Sequence, residues 1–222
     1  MRDVLSREII QDIQQHLRAE GNGAQEGWKS GSDDEDVLTG DLGGSMRCSW
    51  QITDSDDQRW RWRMTYKKFR GRGKDAEEKI IGADGIFQIE VEDKLTGQTF
   101  NKGLLFQAKK VGVSGKKKLH EQVENMEALV PNGSAVFIYG PNHYAGMDAS
   151  RLTDDANSLK SNSIQLGNYL ADYFLPCKVG KRGLYYDANR EMLIIPDETN
   201  GFIALKKQLH HRLRIEVQKG WE

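Results

Sequence analysis

The sequence predicts an α/β domain: a mixed central sheet flanked by helices. Three observations point there. Apolar residues recur at three- and four-residue spacing near the start, and again after residues 120 and 163. Between these stretches, apolar and polar residues alternate with the period of a half-buried strand. One short run, SAVFIYG at 134–140, is almost wholly apolar, as expected of a buried central strand.

Taken in order, residues 2–20 read as an amphipathic helix, with Leu5, Ile9, Ile10, Ile13 and Leu17 on one face. Ser6 or Asp3 is placed to cap its start, and Gly21 to end it. A glycine-marked connection follows, then a short helix from the acidic cluster at 33–36 through Leu42, whose acidic start complements a positive helix N-terminus. Residues 46–52 and 60–66 form a hairpin, with Trp60, Trp62, Met64 and Tyr66 on its inner face. Strands at 79–93 and 103–111 come next, followed by a helix at 120–130, the apolar strand and a helix at 163–174. The chain then passes through a hairpin, 184–187 with 191–196, to a helix from Leu205. All of 1–222 is expected to form one domain. It comprises a helix and connection (1–32), a core (33–140) and a helix/hairpin extension (141–222).

With 37% hydrophobic residues and 23 glycines, the 222-residue chain has nearly the apolar content of globular proteins, which argues against wholesale disorder. No run is long enough to span a membrane. Cys48 and Cys177 lie far apart, which gives no zinc set or disulfide framework and suggests reduced thiols in a cytoplasmic protein. A net charge of −1 conceals segregation: residues 59–74 carry eight basic side chains and no acidic one, while 31–57 carry eight acidic and one basic. No GxSxG, P-loop or dinucleotide-binding pattern occurs, so no nucleotide cofactor is implied.

The residues that point to chemistry are Asp84, between two glycines, and the pair Gln107 and Lys109. Two apart on a strand, Gln107 and Lys109 share a face. A carboxylate and an amide carbonyl suit a hard cation, magnesium or manganese. A lysine beside them can orient a water and offset negative charge. That set fits phosphodiester hydrolysis. The basic stretch fits a nucleic-acid partner: Arg61, Arg63, Lys67, Lys68, Arg70, Arg72 and Lys74 are placed to meet phosphates, and Lys116 and Lys117 extend the surface. Trp60, Trp62 and Tyr66 read as core instead. The basic cluster from Lys206 to Arg214 reads as a charged surface helix; its adjacent His210 and His211 point to different faces and do not suggest a metal site.

In residue type and order, Asp84-Gly85 followed by Gln107-Ala108-Lys109, the helix at 120–130 and the strand at 134–140 resemble the PD-(D/E)XK, or restriction-endonuclease-like, nuclease superfamily in its QxK, Mrr-like form. The resemblance covers roughly residues 33–140. It implies a restriction-endonuclease-like core and a magnesium-dependent deoxyribonuclease, with Asp84, Gln107 and Glu35 as metal ligands and Lys109 completing the catalytic set. Glu77, Glu78 and Glu8 are alternatives to Glu35. Gln107 departs from the more common glutamate. At the start of the helix the resemblance favours Gln122 over His120 as a residue facing the site. It further suggests restriction or anti-phage defence, with a complex partner or a second copy of the chain. The alternative is a catalytically weak or inactive nucleic-acid-binding or assembly subunit.

Overall fold

A computed structural model describes residues 1, 3–31, 34–55, 58–69, 81–112, 116–153, 162–206 and 209–221. Helix α1 (Arg7–Gly23) begins at Ser6, whose hydroxyl accepts from the Ile9 N–H. A helical turn, α2 (Trp28–Gly31), leads to α3 (Glu35–Ser45), capped by the Asp34 carboxylate accepting from the Asp36 N–H at 2.8 Å. The expected hairpin is β1 (Cys48–Ser55) with β2 (Gln58–Lys68). Next come β3 (Gly85–Asp93), β4 (Thr99–Lys110), α4 (Lys116–Leu129), β5 (Ser134–Tyr139) and β6 (Tyr144–Asp148). After the two-residue β7 (Ile164–Gln165), α5 runs from Leu166 to Phe174, its second half wound as a π-helix. Short β8 (Lys181–Arg182) and β9 (Tyr185–Asp187) precede β10 (Met192–Asp197), β11 (Gly201–Lys206) and β12 (His211–Lys219).

The main sheet runs β1-β2-β12-β3-β4-β5-β6-β7, with β8 beside β4; β9, β10 and β11 form a second sheet. Most pairs are antiparallel, but β12–β3 and β4–β5 are parallel, so the sheet is mixed as expected. One face carries Ile9, Ile13, Leu17, Leu38, Leu42, Trp60, Trp62, Phe87, Phe106 and Ile215 in a core beneath α1, α3 and α5. The other face buries Ile86, Leu105, Met126, Val136 and Leu193 beneath α4 and the small sheet. Each fully buried large side chain contributes about 1.5–3 kcal/mol relative to exposure.

The structure departs from expectation at residues 201–219. The helix expected from Leu205 is absent: the segment forms β11 and β12, and His210 and His211 lie at the start of β12 rather than on a surface helix. The period-two signal was present, because Leu213, Ile215 and Val217 alternate with Arg214 and Glu216 and are buried against β2 and β3. Strand β6, beginning at Tyr144, is an element the sequence reading did not include. Among the described residues no helix is long and apolar enough to cross a membrane.

Lys102 on β4 is 0% exposed. Its ammonium donates to the Phe174 carbonyl and lies 4.0 Å from that ring's centroid. Burial, partly offset by the Cys177 sulfur, depresses its proton affinity to about 8.

Candidate active site

At one end of the main sheet the chain enters β3 through Gly82-Ala83-Asp84. Gly82 has φ +78°, and a Cβ there would run into the carbonyl of Gln122 on α4, so only glycine lets the segment pass this close. The Asp84 N–H donates to the Phe106 carbonyl at 2.9 Å. Its own carbonyl accepts from the N–H groups of His210 and His211 at 2.9 and 3.1 Å. The Asp84 backbone is thereby tied to strands on both sides. Its carboxylate Oδ2 accepts from the Ala108 N–H at 2.7 Å and from Gln107 Nε2 at 2.6 Å. Both bonds fix the orientation of the carboxylate.

Gln107 and Lys109 share one face of β4. Gln107 is buried, its amide nitrogen engaged by Asp84 while its Oε1 has no hydrogen-bond partner. Lys109 Nζ pairs with Glu35 Oε2 at 3.4 Å, and Glu35 Oε1 accepts from the Lys110 N–H at 3.0 Å. Glu35, at the first turn of α3, therefore rests on the same strand end as the Asp84–Gln107 pair. The four site residues read from the sequence gather in two linked pairs. Glu8, weighed as an alternative acid, bonds Ser55 at the far end of the sheet. Glu77 and Glu78 lie outside the described residues.

The donor set fits a hard divalent cation: two carboxylates and a buried amide oxygen that lacks a partner. Gln107 Nε2 faces Asp84, so ligation by Oε1 requires a half-turn of that amide. Among the described residues no group of three or more His, Cys, Asp or Glu is placed to hold a metal. Gln122 Oε1, on α4 behind Gly82, is likewise buried without a partner.

The basic residues divide by position. Lys68 pairs through β2–β12 with His211, which pairs with Gly85, so Lys67 and Lys68 reach the site end. Lys117 is exposed on the first turn of α4, where Lys116 also lies. Arg63 and Arg61 sit opposite Glu216 and Gln218, about 17 and 23 Å along the strands at ~3.3 Å per residue. They are engaged there: Arg63 with Glu216 at 2.8 Å, Arg61 with Gln218 at 2.7 Å, and both guanidinium groups 4.5 Å from the Trp50 ring centroid. Arg70, Arg72 and Lys74 lie outside the described residues.

One cluster went unread in the sequence. The His211 side chain is 2% exposed, with Nε2 2.8 Å from Asp36 Oδ1 and Nδ1 2.9 Å from the Tyr66 hydroxyl. Lys68 also pairs with Asp36. Burial outweighs the pull of Asp36 and lowers the imidazole to about 4, so it is neutral at pH 7. An ionised carboxylate only accepts, so Nε2 carries the proton and Nδ1 accepts from Tyr66. The only signal was the alternation of β12, which fixes the buried face of His211 but not its neighbours.

No family model matches the chain, and searches of curated proteins and of solved structures find no match either.

Proposed function

We propose that this protein is a metal-dependent endonuclease that hydrolyses DNA phosphodiester bonds, built on a restriction-endonuclease-like core. The observation that carries the reading is the convergence of Asp84, Gln107, Lys109 and Glu35 on one sheet end, from three segments distant in sequence. Asp84, Glu35 and, after rotation of its amide, Gln107 are the residues to hold magnesium or manganese. Bound there, the cation supplies Lewis acidity and offsets phosphate charge.

The chain's own groups have separate tasks. The Ala108 N–H fixes the Asp84 carboxylate in orientation. Lys109, steered by Glu35, presents its ammonium where it orients a water and offsets charge growing on the phosphate. Lys67, Lys68 and Lys117 hold flanking phosphates. The setting suggested by the superfamily resemblance is cytoplasmic anti-phage defence, alongside a complex partner or a second copy of the chain.

A second reading has its own support. The Gln107 amide nitrogen already occupies the Asp84 carboxylate and the Lys109 ammonium pairs with Glu35, as in a nucleic-acid-binding or assembly subunit with a weak or inactive site. Cleavage of linear, circular and single-stranded DNA, with magnesium, with manganese and with chelator, separates the two. The enzyme reading expects metal-dependent cuts abolished by Asp84→Ala and by Lys109→Ala in folded protein. Retained DNA binding without metal-dependent cleavage supports the binding subunit.

A further inference from the structure

The two acids of the candidate site stand on different elements. Asp84 precedes β3, and Glu35 begins α3. Among the described contacts, one residue bridges the elements that carry them, with its backbone on one and its side chain on the other. His211 opens β12, and its N–H donates to the Asp84 carbonyl at 3.1 Å. Its imidazole Nε2 meets Asp36, the residue after Glu35, at 2.8 Å. Its other nitrogen is held by Tyr66 of β2, whose ring is stacked near it with centroids 6.0 Å apart. Gly43 of α3 lies against that same Tyr66 ring, where a Cβ would clash. The start of α3 is therefore tied to the sheet by the Asp36–His211 bond as well as by the Glu35–Lys109, Glu35–Lys110 and Asp36–Lys68 contacts, while Gly43 seats its other end on Tyr66.

We propose that His211 is a positioning residue that sets the separation of Glu35 from Asp84, with Asp36 and Tyr66 as its two handles. This rests on the metal-site reading for its catalytic consequence, but the coupling itself is a property of the chain. Among the described contacts the imidazole meets Asp36 and Tyr66, and it acts through the α3 backbone. Nε2–H gives Asp36 a directed bond, and the Tyr66 hydroxyl on Nδ1 fixes the ring plane. The imidazole bonds the residue after a ligand rather than a ligand, so its loss is expected to lower metal affinity by about tenfold, the lower end of the range for groups bonded to ligands.

The experiment reads the two acids separately. The Lys110 N–H donates to Glu35, and the Ala108 N–H donates to Asp84. Hydrogen exchange at these two amides reports each carboxylate without any need for cleavage. His211→Ala is expected to speed exchange at Lys110 at least tenfold relative to Ala108. His211→Gln, which keeps an N–H donor for Asp36, is expected to restore most of the protection. Calorimetric titration with magnesium alone should show about a tenfold loss of affinity in His211→Ala and recovery in His211→Gln. If His211→Ala does not fold, Asp36→Ala breaks the same link from the partly exposed side and should produce the same selective loss at Lys110. A folded His211→Ala or Asp36→Ala chain with unchanged Lys110 exchange overturns the proposal. Selective exchange at Lys110 in a chain that neither binds magnesium nor cuts DNA leaves His211 as positioning residue and rejects the nuclease reading instead.

Discussion

Replacing Lys102 with methionine should stabilise the protein, by an amount that changes with pH. The structure buries this ammonium completely, against a carbonyl oxygen, a phenyl ring and a thiol, with no carboxylate among its described contacts. Burial, partly offset by Cys177, lowers its pKa from 10.5 to about 8. At ~1.36 kcal/mol per pH unit, that difference corresponds to about 3 kcal/mol. The sign follows from the proton count. Between pH 8 and 10.5 the unfolded chain holds a proton that the folded chain has released, so stability rises with pH across that window. Below pH 8 both states are charged and the burial penalty is fully present. Methionine has nearly the same length and no charge, so Lys102→Met should gain about 1–3 kcal/mol at pH 7, the range seen when buried charges give way to apolar groups. Urea unfolding at pH 7, 8, 9 and 10 should show this advantage shrinking as pH rises, because the wild type sheds its penalty and the variant has none. Repeating the series in a Cys177→Ser background should widen the window downward, since the Cys177 sulfur holds the amine's proton affinity up. A stability difference that stays constant from pH 7 to 10 refutes the argument.

Two further outcomes follow from neighbouring chemistry. Gln107→Glu sets a second carboxylate 2.6 Å from Asp84 where an amide now donates; without divalent ions the melting temperature should fall, by a shift equivalent to about 1–3 kcal/mol, and magnesium should recover more stability in the variant than in the wild type, read by calorimetric melts with and without the ion. Cys177 should alkylate with iodoacetamide well before Cys48 at pH 7: burial pushes both thiols up, but at Cys177 the hydrogen bond from the chain's amino terminus at 3.0 Å and the charge of Lys102 reverse the effect, whereas Cys48 stays raised; peptide mapping of partly labelled protein reads the order.

The sequence carried those parts of the site that depend on local rules. Gln107 two residues before Lys109 is a statement about a strand face and holds in the structure, whereas Asp84, read as part of the strand at 79–93, lies just before β3. Glu35 was legible because acidic residues favour the first turn of a helix, and that turn lies on the end of β4. Arg61 and Arg63 were read correctly as facing away from the tryptophan core, but composition says nothing about Trp50, Glu216 and Gln218 meeting them there. The largest departure, at residues 205–219, has a definite cause. Charged residues at helical spacing, Lys206, His210 and Arg214, competed with a period-two pattern one position out of step, and long-range pairing decided the outcome. His211 was unreadable for the same reason: its partners Asp36 and Tyr66 become neighbours only once β12 lies between β2 and β3.

That placement has a consequence for when the molecule becomes competent. β12 follows every other strand of the main sheet in the chain, yet fills its middle, with His211 beside Gly85 on one side and Lys68 on the other. During synthesis β2 and β3 emerge long before it, each with an unpaired edge and half-covered apolar residues. Such long-range parallel closure is slow, because loop entropy is lost before contacts repay it. The amides of His210 and His211 that fasten Asp84 arrive with the same strand. A ribosome-bound chain short of residue 210 therefore has Asp84 and its β4 partners but not the two amides that hold the Asp84 carbonyl. The site end of the sheet stays open until translation of this segment is finished, and the unfinished sheet is the stage at which aggregation competes most strongly with folding.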